Sequence, residues 1–240
     1  MMNKNDSKIS IIIPCFNEKK TIVNLTNKVL QSLNTYHYNF YEILIVDDFS
    51  NDGTRELIRE NFESKKNFKT FFHKKNMGKG AAIKTAKEFL SGDIIIIQDA
   101  DLEYDPNDYD KLIKPILSGD FKVVYGSRVL NHNRYITSGF NSKVRIFGNH
   151  FLTIISNFLN NQKLTDAHTC YKVFHKDIFD LIKLEENDFA FCPEVTSKIA
   201  KLGCQIHEVP ISYDGRNYKE GKKIKTIDAF RALKALIKYR

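Results

Sequence analysis

The sequence predicts a single-domain α/β fold, a Rossmann-like arrangement with a mainly parallel central sheet and helices on both faces. From residue 9 onward, short runs rich in β-branched and aromatic residues alternate with segments of helical periodicity. The chain has 240 residues, 42% of them hydrophobic, which is enough to bury a sizeable core. Right-handed crossovers between parallel strands bring the strand ends, and any ligand site, to one edge of the sheet.

The first two strands and helices follow from their apolar patterns. Ile9–Ile13 is almost continuous isoleucine, which is typical of a strand buried on both faces. Thr21–Leu33 carries apolar residues at helical spacing, and Tyr41–Asp47 is a second short apolar run. Thr54–Glu60 is predicted as a helix because it follows the turn-forming sequence Asn51-Asp52-Gly53.

The pattern then repeats. Lys69–His73 is rich in aromatic residues and predicts a short strand, and Gly78 introduces the predicted helix Lys79–Leu90. The turn Ser91-Gly92 precedes the strand Asp93–Gln98. Polar clusters follow the first, second and fourth predicted strands, at the edge where a parallel sheet collects its ligands.

The net charge of +8 is concentrated at the end of the chain. Residues 216–240 hold nine Lys or Arg and two acids, so they carry +7 of the +8. The rest of the chain is nearly neutral, which argues against a nucleic-acid-binding surface, because such proteins usually carry a basic face across the fold. A local basic segment better suits phosphate or an anionic membrane surface.

Targeting and redox signals are sparse. Residues 1–8 are polar, are expected to be flexible and lack the apolar core of a signal peptide, so a cytoplasmic protein is expected. The apolar stretch Ile146–Leu159 is interrupted by polar residues and is too short to span a bilayer. The four cysteines form no C-x-x-C pair, which favours free thiols over disulfides or a zinc site.

The most informative stretch is an acidic cluster after the fourth predicted strand. Four isoleucines precede the alternating acids Asp99, Asp101 and Glu103. Like charges this close repel one another, so one carboxylate should have a raised pKa unless a cation lies among them. Such oxygen ligands suit Mg²⁺ or Mn²⁺, which bind few carboxylates together with substrate phosphates. The alternative is a solvated acidic turn that closes a buried strand.

Four segments resemble motifs of the family 2 glycosyltransferases in the same order and spacing. They are Ile11–Glu18, Val46–Thr54, Asn76–Gly80 and Asp99–Asp101. Within that family the chain is most similar to the dolichol-phosphate mannosyltransferase branch. That closer similarity rests on Gly126-Ser127-Arg128, Arg145 with Gly148-Asn149, Glu208–Ile211, Arg216 and Lys222. The resemblance covers about Ile9–Lys223 and implies a GT-A-like fold.

The resemblance implies which residues bind a nucleotide-diphosphate sugar. Pro14, Phe16 and Glu18 would line its base and ribose, and Asp48 would contact the same part. The other implied donor-binding residues are Gly78, Lys79, Asp99 and Ala100. The helix that begins near Gly78 would offer backbone N–H groups to an anion, unless the glycine serves only a tight turn.

The resemblance also implies the metal ligands, which would be Asp99, Asp101 and Glu103 around Mg²⁺ or Mn²⁺. Asp101 is in addition expected to be essential for catalysis. Glu103 stands where many relatives of the branch have Gln, so the extra carboxylate either tightens metal binding or solvates a loop.

Basic residues would bind the charged groups of the substrates. The resemblance assigns the donor diphosphate or an acceptor phosphate to Arg128, Arg216 and Lys222, with a solvated surface charge as the alternative for each. A metal and such cations would neutralise the charge that grows on the leaving diphosphate, which is the main catalytic effect expected.

Two further carboxylates are candidates for a general base. Family members invert the anomeric centre in one displacement, so an alcohol acceptor would need a base, and Asp166 and Glu194 are the candidates. A phosphate acceptor is already an anion, and the two carboxylates would then position it. The structural alternatives are a cap at Asp166 and an ordinary first-turn helix acid at Glu194.

The acceptor is the least determined part. Around Thr165–Lys172 the chain departs from the Asp-Pro-x-Ser-Gly-Phe-Arg pattern of the branch, and His168 either acts on the acceptor or is structural. Val144–Leu159 favours a lipid partner, with Arg145 placed to hold the phosphate of a polyprenyl phosphate.

The C-terminal tail is the second segment that favours a lipid. In Ile224–Tyr239, a helical face contains Ile227, Phe230, Leu233 and Ile237, flanked by Arg231, Lys234 and Lys238. This pattern is typical of a basic helix at a membrane interface, and core packing is the alternative.

The sequence therefore predicts an inverting, metal-dependent hexosyltransferase. Residues 9–128 would form its nucleotide-sugar half, 129–223 its acceptor half and 224–240 a basic amphipathic helix. The donor would be GDP-mannose, a UDP-hexose or an N-acetylhexosamine nucleotide, and the acceptor a polyprenyl phosphate at the inner membrane face. The alternatives are a soluble or glycan hydroxyl acceptor, a sugar nucleotidyltransferase and a non-catalytic binding module.

Overall fold

The computed structural model describes residues 7–130, 140–216 and 226–240. In the two helices that begin at Phe140 and Thr226, side chains are described from Ile146 and Asp228 onward. Among the described residues, the helices lack the combination of length and hydropathy that spanning a bilayer requires.

Seven strands form one sheet, and helices cover both of its faces. The strands are β1 (Ile9–Cys15), β2 (Tyr41–Asp47), β3 (Phe68–Phe72), β4 (Ile94–Ile97), β5 (Val123–Ser127), β6 (Lys172–His175) and β7 (Ile206–Pro210). The helices are α1 (Ile22–Thr35), α2 (Thr54–Phe62), α3 (Lys79–Lys87), α4 (Tyr109–Leu117), α5 (Phe140–Asn160), α6 (Lys176–Leu181), α7 (Phe191–Lys201) and α8 (Thr226–Tyr239). The prediction of a single α/β domain is confirmed.

The strand order β3-β2-β1-β4-β6-β5-β7 brings the strand ends together. All neighbouring strands are parallel except β6, which runs antiparallel to both β4 and β5. The carboxyl ends of the other six strands therefore lie at one edge, and the loop that precedes β6 arrives at the same edge. We refer to it as the carboxyl edge.

The core lies on both faces of the central strands. Every residue of β1 and β4 is buried, as expected for strands covered by helices on both sides. Pro14 interrupts β1 without loss of pairing to β2, where it lies opposite Val46, while the β1–β4 ladder already ends at the Ile12–Ile97 pair.

The structure shortens helix α3 relative to the prediction. The prediction extended α3 to Leu90 because Phe89 and Leu90 continue its apolar pattern, but the helix ends at Lys87. The N–H of Phe89 turns back to the carbonyl of Ala86, and the N–H of Ser91 is captured by the buried Glu42 carboxylate at 2.6 Å. A tertiary hydrogen bond thus overrides the local pattern.

Candidate active site

The loops at the carboxyl edge carry most of the predicted site residues. Three of them hold a non-glycine residue with positive φ shortly beyond a strand, namely Asn17, Phe49 and Leu102. Such backbone conformations cost free energy and persist where the surrounding structure enforces them, which is common at functional sites.

The acidic cluster is balanced by two cations from distant parts of the chain. Lys79, in the first turn of α3, places its Nζ 2.5 Å from Asp99 Oδ1, and Arg216 places its Nη2 3.2 Å from Asp101 Oδ2. Burial alone would lower the pKa of Lys79, but Asp99 outweighs this effect and holds that pKa well above its ordinary value. Burial and then the neighbouring Asp99 and Glu103 carboxylates raise the pKa of Asp101 to about 7.

The donor set fits a divalent metal with two protein carboxylates. The side chains of Asp99 and Asp101 are 23% and 19% exposed, so both remain accessible from the edge. Among the described residues, no group of three or more metal-binding side chains converges. Mg²⁺ and Mn²⁺ commonly take one or two carboxylates and complete their shell with water and substrate phosphates. Asp99 and Asp101 would hold such an ion.

Glu103, predicted as a third ligand, is engaged elsewhere. One of its oxygens accepts a hydrogen bond from the Tyr213 hydroxyl at 2.6 Å, and the other accepts one from the Arg216 backbone N–H at 2.8 Å. This carboxylate therefore fastens the segment after β7 to the acidic loop.

Arg216 also reaches the loop after β1. Its two terminal nitrogens donate to the Glu18 carboxylate at 2.9 and 3.1 Å, in the bidentate geometry that guanidinium favours. The side chain lies 19% exposed between Glu18 and Asp101. Of the other residues predicted to bind the donor, Phe16 is partly exposed, while Pro14 and Ala100 are buried.

Arg128 and Asp166 form a buried bidentate ion pair. Arg128 donates from Nε at 2.7 Å and from Nη2 at 2.8 Å, and its backbone N–H donates to the same carboxylate. Burial alone would raise the pKa of Asp166, but Arg128 outweighs it and lowers that pKa. A carboxylate with a lowered pKa is a weak base, so this geometry favours a positioning role for Asp166 over the base predicted as one alternative.

Asp48 and Gly78 hold the loop between β3 and α3. The Asp48 carboxylate accepts hydrogen bonds from His73 Nδ1 at 2.7 Å and from the backbone N–H groups of Met77 and Gly78 at 2.8 and 2.7 Å. Asp48 is 3% exposed, and its carboxylate is occupied by the residues that precede α3.

The glycines at the start of α3 have a packing explanation. Gly78 has φ +96°, and a Cβ there would lie 2.4 Å from the carbonyl oxygen of Asn187. A Cβ on Gly80 would lie equally close to the carbonyl oxygen of Glu186. The carbonyl oxygen of Asn187 also accepts a hydrogen bond from the Ala81 N–H. The space at the start of this helix is therefore filled by another segment of the same chain. The tight-turn alternative describes Gly78 better than the anion site.

Glu194 is not part of the carboxyl-edge cluster. Its oxygens accept hydrogen bonds from the backbone N–H groups of Glu185 and Glu186 at 2.7 and 2.9 Å and from Lys198 at 2.7 Å. It is fully buried in the first turn of α7. This geometry favours the structural alternative over the role of a general base or acceptor-positioning residue, because both oxygens already accept hydrogen bonds.

Two predicted residues lie outside the described side chains, and a third, His168, has one buried ring nitrogen. Arg145 lies in α5 before the described side chains begin, and Lys222 lies between the described ranges. His168 Nε2 is buried without a hydrogen-bond partner, and burial lowers the pKa of this imidazole to about 4. An imidazole that stays neutral at neutral pH and has this nitrogen buried fits the structural alternative.

Sequence reasoning gave no role to several residues that shape the site. Tyr213 and Tyr104 are 5.2 Å apart between ring centres, and Arg128 lies 5.1 Å from the centre of the Tyr213 ring. The Glu208 carboxylate accepts hydrogen bonds from the backbone N–H groups of Thr165 and Asp166. Glu208 belongs to a quoted motif and could have been singled out, whereas no local pattern identifies Tyr213.

Solved structures with the same fold are glycosyltransferases. A glucosyl-3-phosphoglycerate synthase from Mycobacterium tuberculosis, solved with Mn²⁺, UDP and glucosyl-3-phosphoglycerate, matches with a TM-score of 0.71 at 16% identity. The match covers 98% of this chain and 81% of that one. Another structure of that enzyme contains Mg²⁺ and UDP. The GT-A-like fold prediction is confirmed.

Sequence relatives point to the same class. A UDP-N-acetylglucosamine–dolichyl-phosphate N-acetylglucosaminyltransferase from Methanococcus voltae is 30% identical over 224 residues, 86% of this chain and 85% of that protein. The dolichyl-phosphate beta-glucosyltransferase ALG5D from Trichomonas vaginalis is 27% identical over 236 residues, 94% of this chain and 70% of that protein. The model of glycosyl transferase family 2 matches residues 10–182. With Asp99, Asp101, Lys79 and Arg216 gathered at the carboxyl edge inside this match or beside it, the chain belongs to glycosyl transferase family 2.

Proposed function

We propose that the protein transfers a hexosyl or N-acetylhexosaminyl group from a UDP-sugar to a polyprenyl phosphate at a membrane surface. The observation that supports this proposal most directly is the pair of carboxylates Asp99 and Asp101 at the carboxyl edge, with Lys79 and Arg216 beside them. The name of the Methanococcus voltae relative supports a UDP-sugar over the GDP-mannose alternative, and both names support a dolichyl-type acceptor.

The proposed reaction is a single displacement at the anomeric carbon. A phosphate oxygen of the acceptor forms the new bond to this carbon as the bond to the donor's diphosphate oxygen breaks, and UDP leaves. Because the acceptor is already an anion, no base has to remove a proton, in agreement with the paired Asp166 and the enclosed Glu194.

The cations of the site have the charge that this reaction needs. Lys79 and Arg216 would neutralise the negative charge that grows on the leaving diphosphate. A divalent ion on Asp99 and Asp101 would supply further neutralisation when bound. Arg216 would then exchange part of its contact with Glu18 and Asp101 for the donor phosphates.

An exposed apolar face supports a lipid acceptor. Along α5, Phe147, Phe151, Ile154 and Phe158 follow one another at helical spacing and are 64%, 53%, 51% and 86% exposed. A row of large apolar side chains of this kind in water marks an interaction surface.

Helix α8 adds two exposed apolar side chains beside α5. It packs on α5 through a small cluster that includes Leu152, Ala232 and Leu236, while its Phe230 and Ile237 are 67% and 59% exposed. We define the membrane face as Phe147, Phe151, Ile154, Phe158, Phe230 and Ile237. The two alternatives for the C-terminal helix therefore apply to different residues. Leu233 packs against α5, whereas Phe230 and Ile237, the other described residues of the predicted apolar face, are exposed to solvent.

Charge adds less to membrane binding than the composition implies. Lys238 lies 3.1 Å from Glu186, and Arg231 lies 3.2 Å from Asp188, so both are paired within the protein. We therefore expect apolar contacts to dominate and salt to weaken vesicle binding only partly.

A transfer assay tests the reaction. Purified protein with Mn²⁺ receives radiolabelled UDP-N-acetylglucosamine, UDP-glucose or GDP-mannose, with a polyprenyl phosphate in detergent or with soluble acceptors. We expect label to move from a UDP-sugar into the organic-extractable lipid, with release of UDP. Label only in a water-soluble product would overturn the lipid acceptor, and release of pyrophosphate would indicate a nucleotidyltransferase.

Vesicle flotation tests the surface independently of activity. The double variant Phe151→Ser/Phe158→Ser should lose most of its binding to vesicles that contain anionic lipid. Phe40→Ser is the matched control, since Phe40 is 55% exposed but precedes β2 at the opposite edge of the sheet. Equal loss in the control, or no binding by the wild type, contradicts the assignment of the membrane face.

A further inference from the structure

Glu103 and Tyr213 join the two loops that meet at the acidic cluster. Besides the two hydrogen bonds of the Glu103 carboxylate, the Asp214 N–H donates to the Glu103 carbonyl at 2.9 Å. Tyr104 and Tyr213 form an isolated antiparallel β-bridge next to these contacts. The segment 211–216 is therefore fastened across the loop after β4 at several points.

The contacts fix the backbone of Arg216 and leave its side chain directed at the site. The Glu103 side chain is 8% exposed, and its oxygens accept both the Tyr213 hydroxyl and the Arg216 N–H. Breaking either bond leaves a largely buried acceptor without that partner, which is costly. From the fixed backbone, the Arg216 guanidinium reaches Glu18 and Asp101 on two other segments.

We propose that Glu103 and Tyr213 are positioning residues that hold Arg216 at the donor diphosphate, and that Glu103 acts through this tether and not as a metal ligand. The inference rests on the proposed function for the identity of the donor. A carboxylate suits this role, since its two oxygens accept from the Tyr213 hydroxyl and the Arg216 backbone N–H together.

A double-mutant cycle tests whether Tyr213 acts through Arg216. The variants are Tyr213→Phe, Arg216→Ala and the double variant, and the measurement is UDP affinity by calorimetry in saturating Mn²⁺. Tyr213→Phe keeps the ring beside Tyr104 and Arg128 and should weaken UDP binding about tenfold. Because the tether acts through Arg216, adding Tyr213→Phe to Arg216→Ala should change the affinity no further.

Two measurements distinguish a tether from a metal ligand and from general loosening. Glu103→Gln should weaken UDP binding while the Mn²⁺ concentration at half-maximal activity stays within about twofold of the wild type. Hydrogen exchange at the Arg216 amide should accelerate in Tyr213→Phe without any ligand present. Asp108→Asn is the matched control, because Asp108 accepts the Ser212 N–H at 2.6 Å in the same segment without touching Glu103 or Arg216.

The outcomes are exclusive. Additive effects of Tyr213→Phe and Arg216→Ala, or a large shift in Mn²⁺ requirement confined to Glu103→Gln, would overturn the tether. Loss of UDP affinity in Asp108→Asn equal to that in Tyr213→Phe would also overturn it. If the wild type binds GDP instead of UDP, the proposed donor fails, and the same cycle measured with GDP still tests the tether.

Discussion

At the scale of single residues, ion pairing indicates which predicted ligand-binding roles the structure favours. Arg128 and Arg216 look alike in the sequence as phosphate-binding cations, yet Arg128 lies in a bidentate pair with one buried carboxylate. The Arg216 side chain is about as exposed, at 19% against 16%, but it is shared among Glu18, Asp101 and Glu103. We therefore propose a structural role for Arg128 and a ligand-binding role for Arg216.

The two pairings predict different binding phenotypes. Arg128→Ala should lower the free energy of unfolding by about 3–5 kcal/mol, because it leaves the buried Asp166 charge unpaired. Arg216→Ala removes the bidentate partner of Glu18, whose side chain is 5% exposed, so it should lower stability as well, but of the two variants it alone should weaken UDP binding strongly. Urea unfolding and calorimetry on both variants check this. Wild-type stability in Arg128→Ala would restore it as a candidate phosphate ligand.

Asp101 gives a second prediction at this scale. Asp101→Asn should abolish transfer and Mn²⁺-dependent nucleotide binding, because it removes a hard anionic ligand while preserving shape. Since the pKa of Asp101 is raised to about 7, its ionised form is disfavoured, and the variant should not melt lower than wild type at about pH 8. Calorimetry and thermal denaturation measure both. Unchanged metal dependence would remove Asp101 from the metal site.

At the scale of elements, side chains from one element hold the backbone of another. Glu194 in α7 fixes the segment 185–186, whose continuation covers Gly78 and Gly80 at the start of α3. Lys79, the proposed donor-binding cation, thus owes its position to a carboxylate remote from the site in sequence. This arrangement explains a buried acid without assigning it chemistry.

The element scale predicts a stability phenotype for Glu194→Gln. An amide NH₂ group would face backbone N–H donors, so we expect a loss of about 2–4 kcal/mol in unfolding free energy with kcat near the wild-type value. Glu185→Gln is the control, because Glu185 contacts the same Lys198 from a 44% exposed side chain. A stable but inactive Glu194→Gln would restore Glu194 as a candidate base.

At the scale of the whole molecule, the opposite edge of the sheet contributes stability while the carboxyl edge concentrates charge. The Glu42 carboxylate accepts hydrogen bonds from Ser10 in β1, Lys69 in β3 and the Ser91 hydroxyl and N–H. Burial alone would raise its pKa, but these bonds lower the pKa of Glu42 to about 2. One side chain thereby joins three strands and the turn before β4.

A defined acid sensitivity follows. A carboxylate with a lowered pKa in the folded state stabilises fully above its ordinary pKa and less as protons bind, so the contribution of Glu42 is lost between about pH 4.5 and 2. Its size is about 3 kcal/mol. Glu42→Gln should destabilise at neutral pH and flatten the dependence of unfolding free energy on pH in this window. An unchanged slope in acid unfolding contradicts this role.

The sequence by itself determined the alternation of strands and helices, and with it the edge where ligands gather. Isoleucine runs in β1 and β4 and glycine turns are local signals, and a parallel sheet has one carboxyl edge whatever its loops do. The motifs also pointed to Asp99, Asp101, Lys79 and Arg216, which the fold brings together in ion pairs. Family membership could also be predicted, because the motifs stand in the order and spacing of the family although overall identity to the relatives is low.

Only the tertiary structure decided which charges are paired and which are exposed. The pairs Arg128–Asp166 and Arg216–Glu18 join residues far apart in the chain, and no local pattern encodes such distances. The same holds for the apolar face of α8, where periodicity grouped Leu233 with Phe230, but packing on α5 covers one and exposes the other. The periodicity of a segment shows which residues share one face of a helix or strand. The neighbouring elements determine whether that face is covered by packing, paired with opposite charges or exposed to a ligand.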